Sequence, residues 1–176
     1  MDSPLAVLLR NGTHGAATVR LALKAEQFSV SIAKTPIQIP IPRRNPELLD
    51  LGIFRPAITL SGIIDTEATY IATTGNSPAG TRGMETLNVS GETYFIPYKN
   101  YLEEVAMKWV TDTSTTLQIE WGDTTTPVST NSANATGGAL YHVAIQQAQF
   151  SVLPAQEDRW QYTMQFIAKG RNDITF

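Results

Sequence analysis

The sequence predicts a mainly β fold, an antiparallel β-sandwich or small barrel with one packed α-helix and long loops, and three observations predict it. Short segments that alternate apolar and polar residues recur from Val19 to Phe166, the period of a half-buried strand. Only one segment, about 97–110, carries apolar residues at helical spacing. Between these elements lie two long stretches rich in Thr, Ser, Asn and Gly, 66–93 and 122–138, which lack the apolar content to form a core of their own.

In the helix, Tyr98, Tyr101, Leu102, Val105, Ala106, Trp109 and Val110 form one stripe, which must be buried. Asn100 and Glu103 have capping-box spacing, and Glu104 and Lys108 sit four apart on the opposite, wet face,. A helix this short does not persist alone in water, so its stripe needs a sheet to lie on. Val19, Leu21 and Leu23, then Phe28, Val30 and Ile32, read as a hairpin with one buried face,. In 36–42 Ile37, Ile39 and Ile41 alternate with Gln38 and prolines. Proline cannot donate to a ladder, so this is an edge strand or an extended arm. Its isoleucines either pack on the domain's own rim or lie across a neighbouring subunit, and they are the candidate interface residues.

Ile58, Leu60, Gly62 and Ile64 share one face of a central strand, where Gly62 marks a bulge or a close backbone approach,. Leu117 to Trp121 alternates again. In 139–153, Tyr141, Val143 and Ile145 lie on one phase and Ala148, Phe150 and Val152 on the other, so a bulge near Gln146 and Gln147 is expected to turn the strand between two surfaces. Trp160, Tyr162, Met164 and Phe166 form the most regular strand.

A length of 176 residues suits one domain, with 1–55 as an N-terminal hairpin and Pro/Ile arm and 56–176 as the sandwich with its helix,. Net charge is −3 and the thirteen Lys and Arg are scattered, which argues against sequence-specific nucleic-acid binding. The absence of cysteine removes disulfides, thiolate metal sites and cysteine nucleophiles,. Leu5 to Leu9 is an apolar run too short for a signal core or a span, so no membrane insertion by this chain is expected,. Three Asn-x-Ser/Thr triplets, at Asn11, Asn88 and Asn134, read as turns.

No catalytic, cofactor-binding or metal-ligating set emerges. His142 has no partners at triad or metal spacing, and Glu103-Glu104 and Glu157-Asp158 are neighbours rather than converging pairs,. Not an enzyme, then, and no cofactor. The architecture suits assembly, because unpaired strand edges are a hazard in a monomer and an asset in a ring.

The order of elements resembles the bacteriophage tail tube family, which includes tail tube, tube-initiating or adaptor ring, and distal tail proteins. Asp50-Leu51-Gly52, followed by the Ile58-x-Leu60-x-Gly62 strand, is similar to that family's pattern. So is the closing pair of segments 148–152 and 160–166, and the single helix lies between the Ile58–Gly62 strand and that pair. The resemblance implies sixfold rings whose inner strands join around a lumen, adjacent tail tube or baseplate proteins as partners, and genome DNA passing non-specifically. It also implies a virion tail location after synthesis in the bacterial cytoplasm. The alternative is a carbohydrate- or receptor-binding β-sandwich, with Trp121 or Tyr70 as stacking platform.

Overall fold

The computed structural model describes residues 5–12, 15–33, 37–39, 47–49, 55–65, 84–89, 91–112, 115, 117–121, 139–152, 154–155, 158–171 and 174–175. Its strands are β1 (Leu5–Arg10), β2 (Arg20–Ala25), β3 (Gln27–Ser31), β4 (Ile37–Ile39), β5 (Glu47–Leu49), β6 (Ala57–Asp65), β7 (Thr86–Val89), β8 (Glu92–Phe95), β9 (Leu117–Trp121), β10 (Ala139–Val152), β11 (Arg159–Arg171) and β12 (Ile174–Thr175). One helix, α1, spans Lys99–Thr111. The main sheet runs β3-β6-β11-β10-β9-β1-β2-β8-β7, with β12 beside β11, while β4 and β5 pair separately. Mainly β with one helix is what the alternation predicts.

The sheet curls into a half-barrel around its apolar face. Leu9, Leu21, Ile58, Leu60, Ile119, Val143, Met164 and Phe166 are fully buried on the concave side. Tyr101, Leu102, Val105, Ala106 and Trp109 of α1 join the same cluster. The helix therefore fills the trough, and its stripe is core. Val110 at the end of that stripe is exposed instead. The N-cap is Tyr98 in extended conformation, without a side-chain cap. Asn100 lies inside the first turn, and Glu103 pairs with Lys99 rather than reaching back. Lys99 Nζ also stands 4.4 Å from the centre of the Trp160 ring, a cation–π contact joining helix to sheet.

Three expectations are corrected. First, 19–32 is not a hairpin. Only Glu26 separates β2 from β3, and one residue cannot reverse the chain; β2 pairs with β1 and β3 with β6. The Glu26 N–H donates to Ser61 O at 3.0 Å, so this bent strand draws the two arms of the curl together. Second, the β10 bulge does not send its apolar sets to different surfaces. Register with β11 shifts between Ile145 and Gln147, so Ile145 faces Phe166 and Ala148 faces Met164. The extra residue restores phase and keeps both sets concave. Third, Asn88 lies in β7, not in a turn. Asn11 does close a turn, its Oδ1 accepting from the N–H groups of Thr18 and Val19.

Candidate assembly surface

The convex side of the half-barrel has two unlike halves. Over β1, β2 and β9 it is covered by the β7–β8 hairpin, whose one ladder contact with the other strands among the described residues is the parallel bridge Leu21 to Phe95. Leu8 of β1 and Ala22 of β2 meet Val89 and Tyr94 of the hairpin in a small apolar cluster. Beside them runs a polar rung across adjacent strands, Arg20, Arg10, Gln118 and His142 in register. Arg10 is 2% exposed. Its Nε donates to Gln118 Oε1 at 2.8 Å, and its Nη1 donates to the Tyr94 hydroxyl at 2.8 Å and to Glu120 Oε2 at 2.9 Å. Tyr94 donates onward to Glu92 Oε2 at 3.3 Å, and Glu92 also meets Arg20 at 3.3 Å. Burial pushes the Tyr94 phenol above its usual range, partly opposed by Arg10,. Two guanidinium groups and two carboxylates thus neutralise each other, as burial of charge requires.

The other half, over β3, β6, β11 and β10, is different in kind. Two consecutive rungs cross all four strands, Gln27-Ser61-Thr163-Gln149 and Ser29-Thr59-Gln165-Gln147. Every one of these eight side chains is uncharged and hydrogen-bonding, and none is buried. The charges on this face stand towards its ends, Asp65 opposite Arg159 in register and Lys169 far along β11. This four-stranded segment has two open edges among the described residues. β3 pairs only with β6, and β10 beyond Val143 pairs only with β11, since β9 spans only 139–143 of it. Because all three pairings are antiparallel, β3 and β10 run in opposite directions. An edge β10 would therefore meet the β3 of a like-oriented second copy as another antiparallel pair.

This surface has a sequence signal, the Gln, Ser and Thr alternating with core residues in β6 and β11, but its partnership across strands is set only by register. Of the candidate interface residues, Ile37 and Ile39 fall in β4, opposite Leu49 and Glu47 of β5. Ile41 lies outside the described residues, as do Tyr70 and the side chain of Trp121. His142 is half-buried at the end of the Arg10 rung, Glu103 and Glu104 serve lysines on α1, and Asp158 is exposed. Among the described residues no group of three or more His, Asp or Glu side chains converges to hold a metal. Nor is any described helix long and apolar enough to cross a membrane.

The fold is similar to phage tail structures. The SPP1 tail tube, from solid-state NMR and cryo-EM, superposes with a TM-score of 0.43 at 10% identity, over 97% of this chain and 76% of that one. The anti-feeding prophage baseplate gives 0.45 at 9%, over 97% and 92%. The tail of the empty GTA particle gives 0.42 at 9%, over 93% and 91%. No family model and no curated protein sequence matches.

Proposed function

We propose that this chain is a structural virion protein, a ring-forming subunit of a phage tail tube or baseplate hub through which the genome passes. One observation supports the reading most: a four-stranded antiparallel sheet with two open, oppositely directed edges and a neutral polar outer face. Edge-to-edge pairing of copies would leave neither β3 nor the open length of β10 unpaired, as a closed ring of these segments requires. Six copies would bring four strands each. At about 4.8 Å per strand the ring would be on the order of 115 Å around and about 37 Å across between backbones, before strand tilt widens it. Glutamine, serine and threonine in the two central rungs would present dipoles, with the cations Arg159 and Lys169 held towards the ends of the wall, so a polyanion would meet little of the counterion release that drives capture as it crosses those rungs.

The natural absence of cysteine provides the test. Ser29→Cys is combined in turn with Gln147→Cys, Gln149→Cys and Ser151→Cys. Within one chain these positions lie three strand spacings apart, about 14 Å, too far for an internal disulfide. Oxidation at concentrations where light scattering detects association is expected to give a ladder of covalent oligomers for at least one pair, ending in a closed species visible as rings by negative stain. Monomer alone for all three pairs would refute edge-to-edge assembly.

A further inference from the structure

β2 and β6 touch at one point and then part. At the contact the Tyr162 hydroxyl donates to Lys24 O at 2.8 Å. A Cβ on Gly62 would lie 2.4 Å from that same oxygen, so only glycine permits the approach. Beyond it, β3 has ended opposite Ser61 and β8 meets β2 only at Leu21. The edges of β2 at 22–24 and of β6 at 63–65 therefore diverge, with no ladder partner among the described residues facing into the gap. Between them opens a cavity of about 200 Å³. Leu23, Ile64 and Tyr162 line it, with Pro97 and Tyr98 opposite. Its charged lining among the described residues is Lys24, Asp65 and Glu85, one cation against two anions, and the Lys24–Glu85 pair is exposed at 3.5 Å. Arg159, the cross-strand neighbour of Asp65, belongs to β11 on the other side of β6. Ile63, also in the lining, is 39% exposed.

We propose that this cleft receives an extended aliphatic and basic segment, residues 36–44 of a second copy. The chemistry matches in three respects. The gap offers two strand edges and an apolar lining, the setting in which an extended peptide adds itself to a sheet. Residues 36–42 alternate isoleucine with Gln38 and prolines, and proline restricts the conformations of an unbound chain, which lowers the ordering cost. Arg43 and Arg44 follow directly, complementing a rim with an excess negative charge. Among the described residues, 37–39 of the arm pair with β5 and not with the main sheet. The source of the segment rests on the assembly reading; the cleft's preference does not.

The test is a titration of the isotopically labelled full chain, at a concentration where it is monomeric, with a synthetic peptide of residues 35–45. Saturable shifts are expected at the amides of 22–24, 63–65, 96 and 98. A peptide with Ile37, Ile39 and Ile41 replaced by serine should leave them unmoved. Asp65→Lys with Glu85→Lys, both at exposed positions, should raise the dissociation constant about three- to tenfold, the range for two screened rim charges. Amides unmoved at about 1 mM peptide, weaker than any useful docking, would overturn the proposal, as would equal shifts with the serine peptide. Peptide binding without cysteine crosslinks would leave this inference standing and sink the assembly reading; crosslinks without peptide binding would do the reverse.

Discussion

Replacing Arg10 by methionine should be among the most damaging single changes in this protein, and the structure sets its size. The guanidinium serves Gln118, Tyr94 and Glu120 at 2.8 to 2.9 Å, and the Arg10 and Glu120 side chains are only 2% and 5% exposed. Solvent screening therefore does little there. Arg10→Met takes the guanidinium away from the buried Glu120 carboxylate, and breaking a buried pair from one side costs about 3–5 kcal/mol, a large share of the roughly 5–15 kcal/mol that holds an ordinary domain. Arg10→Met with Glu120→Met removes both charges. The pair itself is then close to neutral, and what remains is the loss at Gln118 and Tyr94, about 1–3 kcal/mol. The double variant should thus be more stable than the single one. Urea unfolding with linear extrapolation measures all three proteins. Hydrogen exchange adds a spatial readout: in Arg10→Met the amides of 86–95 should lose protection before those of β10 and β11, because Tyr94 ties that hairpin to the sheet beside a single backbone bridge,. A single-variant cost below about 1 kcal/mol, or a double variant less stable than the single, would refute the claim that a buried charge pair fastens this hairpin.

Trp109→Ala should cost about 3–5 kcal/mol, as truncation of a buried aromatic does, while Lys108→Ala, exposed one position away, should change stability by about 0.5 kcal/mol or less; equal small effects in urea unfolding would show α1 to be wrongly seated. Tyr162 links stability to alkaline pH: burial first, and the Glu26 charge second, raise its phenol above the usual 10.0. The unfolded chain therefore ionises it first, so its contribution holds below pH 10 and is lost as pH rises from there towards the folded value. Tyr162→Phe should cost about 1 kcal/mol near neutrality for the lost bond to Lys24 O and flatten the decline above pH 10; an unchanged alkaline slope would exclude Tyr162 as its source.

What was legible in the sequence was whatever a local period can encode. The stripe of α1, the alternation of β6, β9 and β11, the bulge near Gln146 and the tight approach at Gly62 all appear in the residues themselves, because burying one face dictates spacing. β1 was hidden for the same reason. Leu5 to Leu9 shows no alternation, since both its faces are covered: Val7 and Leu9 face the trough while Leu8 and Arg10 face the β7–β8 hairpin. A run buried on both sides carries no period to read. Arg10 follows directly on that apolar run, and nothing near it in sequence announces Gln118 or Glu120.

Those contacts span more than a hundred residues, and no window of sequence contains them. Alone, the sequence determined a mainly β chain with one amphipathic helix, without cysteine chemistry or a basic field. Tertiary structure decided that 20–31 is one bent strand joining two arms of a sheet, and that the β10 bulge keeps its apolar sets on one face. It also decided that glutamines, serines and threonines from four strands align into neutral rungs. Each of these is a matter of register between distant segments, and register is chosen by the core as a whole: slipping any strand by one residue would turn its buried side chains to water.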